Sequence, residues 1–128
     1  MKPDLVYWQS VRHFKMREFA CPCCGAAPML PAFIGALDRL RHEVDRPLTI
    51  SSGYRCARHN EAVGGAPHSL HRDGLAADVA VPRGDGVLRW LIVANATRQA
   101  LSVGVYGRHI HLDDRPGPAV LFHGSYRL

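Results

Sequence analysis

No stretch of the 128-residue chain approaches the roughly 20 consecutive apolar residues that a bilayer-spanning helix needs, which excludes a helical membrane span. Residues 1–19 carry Asp4, Lys15, Arg17 and Glu18 and lack an unbroken apolar core. They do not read as a signal peptide, so synthesis in the cytoplasm without one is expected. Charge is sparse: 21% of residues are charged against 47% hydrophobic, a balance that excludes intrinsic disorder and supports one compact domain over residues 1–128. Internal repeats, low-complexity tracts and linkers are missing. So are Lys/Arg blocks and any groove-reading motif, and the aromatic residues are not interleaved with the basic ones. The formal charge of +5, with eight histidines uncounted, favours an anionic partner and by itself leaves nucleic acid or an acidic cell envelope open. The missing nucleic-acid features decide between them, and no nucleic acid is expected.

Residues 1–30 read as an irregular segment around the cysteine-rich run Cys21-Pro-Cys-Cys-Gly25. Pro31 suits the first position of a helix, and Phe33, Ile34, Leu37, Leu40 and Val44 follow at helical spacing, which predicts an amphipathic helix over about 31–44. Pro47 to Ser51 reads as a short strand ended by Gly53. Residues 54–74, rich in Gly, His and Asn, read as a long functional loop with one helical turn around Arg58 to Val63. Leu75 to Val81 is the next strand. A second helix is expected over about 85–99, with Val87, Leu88, Leu91, Ile92 and the 94–96 region on its inner face. Strands at 102–106 and 108–113 and a further one at 119–123 complete an α+β fold, a small, mostly antiparallel sheet packed against two main helices.

Three places in this pattern carry chemistry. In the strand 75–81, period-two alternation puts Leu75, Ala77, Val79 and Val81 on one face, with Ala76, Asp78 and Ala80 on the other. Asp78 is the lone charge of an apolar strand and needs a cation or several donors to offset its desolvation; an ordinary arginine pair would also serve. In Arg108-His-Ile-His-Leu-Asp113, Ile110 and Leu112 point to one side, while His109, His111 and Asp113 line the other. Two imidazoles roughly 7 Å apart along a strand can converge on one site, or can simply form the polar face of an edge strand. Upstream, His71 precedes Asp78 by seven positions, with Gly74 between them. His71, Asp78 and one histidine of the later strand make a three-ligand zinc set whose fourth position is open to water, the layout of a catalytic site. In a chain with eight histidines and eight aspartates, His-x6-Asp and His-x-His each arise by chance about four times in ten, so spacing alone does not identify the site.

The cysteines leave more than one reading open. Cys21-x-x-Cys24 has zinc-knuckle or redox spacing, with Cys23 and Cys56 as further partners. A thioredoxin-like role requires a strand before and a helix after the pair, which the flanking residues do not offer. A structural zinc, a disulfide to Cys56 in an oxidising compartment, and buried reduced thiols all remain.

The order Ser52-Gly-Tyr-Arg55, His59-Asn60, Val63-Gly-Gly-Ala66, Ser69-x-His71-x-x-Gly74-x-Ala76-x-Asp78 and His109-x-His111-x-Asp113 resembles the zinc D-Ala-D-Ala carboxypeptidase-like peptidases of the M15 type. These are grouped with lysostaphin-like enzymes and the hedgehog fold, and the resemblance covers about residues 14–114. It implies a hedgehog/DD-peptidase-like fold and zinc held by His71, Asp78 and His111. It implies His109 as acid/base or transition-state group, and Arg55 as the cation facing an oxyanion or substrate carboxylate. Ser69, Tyr54 and Asp113 become substrate contacts or supports of a ligand, with packing an equal alternative for Tyr54; Asp113 would orient a ligand imidazole. Other branches carry a carboxylate base three residues before the last histidine. Arg108 stands there and cannot act as a base, so His-x-His favours the carboxypeptidase-like branch. The implied activity is hydrolysis of peptidoglycan stem peptides or cross-links at D-amino acids by metal-activated water, as D,D-carboxypeptidase or endopeptidase. One catalytic zinc is expected, with a structural zinc at the cysteines not favoured. The implied protein is a monomer of phage or bacterial origin, acting in the periplasm or cell wall after release. The alternative is a non-catalytic, zinc-stabilised binding module of the hedgehog-like type, closed by a blocked fourth position or by His109 as fourth ligand.

Overall fold

The computed structural model describes residues 7–124. Five strands, β1 (Ile50–Ser52), β2 (Ala76–Ala80), β3 (Ser102–Val105), β4 (His109–Asp113) and β5 (Leu121–His123), form one sheet in the order β1-β2-β4-β3-β5. All neighbours are antiparallel except β3 and β5, which run parallel. Two main helices, α1 (Pro31–Val44) and α3 (Gly86–Arg98), pack on one face, and a short α2 (Ala57–Ala62) lies in the long loop. The α+β class and the mostly antiparallel sheet are those expected from the sequence.

Helix α1 starts on Pro31, whose missing N–H costs nothing in a first turn, and ends on Asp45 in the left-handed region at φ 54°. Its stripe Phe33, Ile34, Leu37, Leu40 and Val44 meets Ala77 and Val79 of β2, Val81 just after it, and Ile110 and Leu112 of β4 in one core. Helix α3 is capped by Asp85, which accepts from the Leu88 N–H and pairs with Arg46 at 2.7 Å. Its inner stripe is Leu88, Ile92, Asn95 and Ala96. Val87, expected inside, is 67% exposed. At about 100° per residue it stands a quarter turn away from Leu88, off the stripe that faces the sheet. Arg89 donates to the carbonyls of Tyr106 (2.6 Å) and Gly107 (2.8 Å), which ties α3 to the β3–β4 hairpin.

Element ends differ from expectation by up to three residues, and one short element is new. Strand pairing starts at Ile50 rather than Pro47, because proline has no N–H for the ladder, and it extends to Ser52 through a register shift against β2. The loop before β2 contains a 3-10 turn at Leu70–Asp73 that the sequence reading did not anticipate. Ser69 Oγ caps it by accepting from the His71 N–H, and Gly74 closes it at φ +70°.

Gly74 and Gly64 separate two costs. Both have positive φ, +70° and +72°, but a Cβ at Gly74 would strike the Pro28 carbonyl oxygen, whereas a Cβ at Gly64 meets nothing within 4 Å. Gly64→Ala is expected to cost only the left-handed strain, about 1–2 kcal/mol. Gly74→Ala should add a backbone collision and cost about 2–5 kcal/mol. Equal urea midpoints for the two variants would disprove the contact with Pro28.

Candidate functional site

The face of the sheet opposite the helices carries the polar residues. Register sets them: Asp78 of β2 pairs directly with His111 of β4, so their side chains rise side by side. β4 lies between β2 and β3, which rules out the exposed edge strand. Gly104 of β3 flanks His111 on its other side, and without a Cβ it leaves room for the Phe122 ring, 5.8 Å from the His111 ring. His71 enters from the 3-10 turn.

Asp78 Oδ1 lies 3.3 Å from His71 Nε2 and 3.1 Å from His111 Nδ1. One ligand atom from each of His71, Asp78 and His111 falls within 4.8 Å of the others. Both imidazoles are oriented from behind. His71 Nδ1–H donates to the Gly53 carbonyl at 2.8 Å, which turns Nε2 and its lone pair toward Asp78. His111 Nε2–H donates to Asp113 Oδ2 at 2.8 Å, which turns Nδ1 inward. A histidine fixed this way by a carbonyl or carboxylate is the usual support of a metal ligand. The donor set of two imidazoles and a carboxylate therefore fits zinc, with a coordination position left over.

The surroundings complete the cleft. Arg55 Nη2 reaches Asp78 Oδ2 at 3.3 Å, while its Nε donates to Ser52 Oγ (3.0 Å) and its Nη1 to Asn60 Oδ1 (3.4 Å). Asp78 thus has both the arginine partner that an isolated strand carboxylate invites and two histidines. His109 Nε2 stands 3.9 Å from Asp78 Oδ2, and its ring stacks on Tyr106 at 4.5 Å and 10°. Asp113, fully buried, is also gripped by Arg115 Nε at 2.9 Å and Nη2 at 2.7 Å. Except for Ser52 and Asn60, which brace Arg55 from behind, these groups line a cavity of about 550 Å³ together with Ser69, His68 and the Gly64–Ala66 stretch. Tyr54 does not line it. Its side chain packs against the hydrophobic core, and its N–H donates to the Phe19 carbonyl.

Sequence reasoning missed Tyr106, Arg115, Ser52, Asn60 and His68. Arg115 had a signal, since it follows Asp113 by two residues on the strand exit. Asn60 also stood inside a quoted motif. His59, which stands in the same motif, lies in α2 and not on the cavity wall. His13 and His42 contact each other at 3.2 Å away from the cleft.

Charge is strongly coupled here. Burial disfavours ionised Asp78, but hydrogen bonds from His111 and His71 outweigh it and hold the carboxyl well below its usual range. Burial likewise opposes charge on His111, yet Asp113 and Asp78 raise it to about 9. Burial opposes charge on Asp113 too, and His111 and Arg115 bring it down to about 2. His109 is lowered, by burial first and by neighbouring cations, against the pull of Asp78.

The signs give a stability profile for the metal-free chain. The contribution of His111 is complete below pH 6.5 and is lost as pH rises through about 9. That of Asp113 is complete above pH 3.8 and is lost as pH falls through about 2. Denaturation midpoints in chelator are expected to fall from neutral pH toward 9. A flat alkaline limb would show that His111 is uncharged in the folded chain.

No curated protein matches this sequence. The model of one protein family, described as Peptidase M15, matches residues 12–113. That span runs from within the N-terminal segment to Asp113 and contains every cleft residue named above except Arg115. Covering most of the chain, it identifies the protein as a member of the peptidase M15 family.

Proposed function

We propose that the chain is a zinc-dependent peptidase that hydrolyses peptide bonds at D-amino acids in peptidoglycan stem peptides or cross-links. The observation that carries this is the convergence of His71 Nε2, Asp78 Oδ1 and His111 Nδ1 at the floor of an open cleft, inside the segment matched by the peptidase family.

His71, Asp78 and His111 would hold the ion, with Gly53 and Asp113 fixing the two rings. Bound zinc polarises a scissile carbonyl and lowers the pKa of water. The remaining work falls to side chains of the cleft. His109, kept neutral near pH 7 by burial and neighbouring cations, takes a proton from the attacking water and delivers it to the leaving amine. Tyr106 keeps its ring from turning away. Arg55, braced by Ser52 and Asn60, fixes the second oxygen of Asp78 and brings a permanent positive charge to the developing oxyanion or a substrate carboxylate. Ser69 lies on the cavity wall within reach of a bound peptide. The formal charge of +5 suits an anionic wall polymer, and action would take place at the cell wall. No helix among the described residues is long and apolar enough to cross a membrane.

A closed, non-catalytic zinc module would need a blocked fourth position or His109 as a fourth ligand. Against that, His109 lies outside the converging set and on the cavity wall. The decisive experiment compares peptidoglycan fragments by mass spectrometry after incubation with zinc-loaded and chelator-treated protein. Loss of terminal D-Ala or opening of cross-links only with zinc is expected. Unchanged fragments, with zinc verified in the protein, would overturn the proposal.

A further inference from the structure

We infer that Cys21, Cys24 and Cys56 form a second metal site, a structural zinc centre of thiolate donors that clamps the N-terminal segment onto the loop carrying Arg55. Their sulfurs all lie within 4.8 Å of one another, and those of Cys21 and Cys56 are 3.7 Å apart. A disulfide engages two sulfurs; three that converge across 35 residues of chain match a metal's demand.

The local backbone is built for it. Gly25, at φ +76°, lets the chain turn sharply after Cys24, and the turn is closed by Gly25 N–H to the Cys21 carbonyl (2.7 Å) and Cys21 N–H to the Ala26 carbonyl (2.8 Å). This brings Cys24 back beside Cys21. Cys56 arrives from the other side as the cap of α2, its sulfur accepting from the His59 N–H at 3.5 Å. Backbone amides of Cys56, Cys24 and Cys23 also point at the Cys21 sulfur. These amides act against the burial of that thiol. Amide hydrogen bonds of this kind favour the thiolate, the form that binds metal. Cys23 lies outside the three converging sulfurs, and as the remaining thiol of the run it is the candidate for the fourth donor of a closed site. Binding transfers the thiol protons to solvent and leaves no redox change to account for.

The clamp has a consequence for the cleft. Cys56 adjoins Arg55, and the same loop contributes the Gly53 carbonyl that orients His71. The N-terminal segment already meets it through Tyr54 N–H to the Phe19 carbonyl at 2.9 Å. A metal at the cysteines would hold both ends of that contact. The inference is independent of the proposed peptidase activity, since it concerns other residues.

The test uses the full chain purified under reducing conditions. Two zinc ions per chain are expected, with X-ray absorption reporting both sulfur and nitrogen/oxygen ligands, and cobalt substitution should give a thiolate-to-cobalt charge-transfer band. His71→Ala should leave one equivalent and keep the band. Cys24→Ser, at an exposed position, should leave one equivalent and lose most of it, and Cys23→Ser should weaken metal retention without abolishing it. A single zinc without sulfur ligands in the unaltered chain would overturn the inference with no variant needed. So would an intact mass lighter by two hydrogens with Cys21 and Cys56 joined.

Discussion

Replacing His109 by alanine is expected to lower hydrolysis of peptidoglycan fragments by about 10²–10⁴-fold while the zinc of the cleft stays bound. The first half follows from position. His109 projects from β4 on the same face as His111, stands 3.9 Å from Asp78 and lines the cavity, where a proton must move between water and a leaving amine. Its neutral form at pH 7 is the one that accepts a proton. The second half follows from what His109 does not touch, for the converging donor atoms come from His71, Asp78 and His111 without it. Zinc content and fragment mass spectrometry measured on the same sample separate the two. Full activity would remove His109 from the mechanism. Loss of the cleft zinc would make His109 a ligand and revive the closed, non-catalytic site. Tyr106→Ala offers a graded comparison: losing the stacked ring frees His109 to rotate and should reduce the rate less than losing the imidazole.

How much of this was legible in the sequence depends on whether a contact is written in side-chain types. Helix α1 was readable because Pro31 and the spacing of Phe33, Ile34, Leu37, Leu40 and Val44 admit one face. The face of β4 was readable because strict alternation separates Ile110 and Leu112 from His109, His111 and Asp113, and it is the core that buries the apolar pair. The pairing of Asp78 with His111 was not readable, because register depends on how two strands meet across 33 residues. The brace on His71 was hidden for another reason. Its partner is the backbone carbonyl of Gly53, and any residue type supplies a carbonyl. Short elements escaped as well: the 3-10 turn at Leu70–Asp73 is too brief to show a period, though it sets the direction from which His71 enters. Val87 misled because an apolar residue beside an apolar stripe need not belong to it.

Replacing Asp78 should have the broadest effect of any single change, because three partners depend on one carboxylate. Its Oδ1 faces His71 and His111, and its Oδ2 takes Arg55. Asp78→Ala is expected to reduce hydrolysis to background and to abolish zinc binding in the cleft, since two imidazoles alone do not make the three-ligand site. It should also destabilise the chain with no metal present. The Arg55 and Asp78 side chains are only 15% and 9% exposed, and removing one member of a buried pair costs about 3–5 kcal/mol. His111 can relieve part of this by releasing its proton; Arg55 cannot. The double variant Arg55→Met/Asp78→Leu distinguishes the structural share of the loss from the chemical one. With both charges replaced by apolar groups, its denaturation midpoint should recover much of what Asp78→Ala loses, because the penalty comes from the stranded partner more than from the missing attraction. Its hydrolysis should stay at background, for no stability gain restores a metal ligand. A double variant no more stable than Asp78→Ala would mean that the Arg55 charge was never stranded. A double variant that regained activity would mean that zinc is held elsewhere than on Asp78.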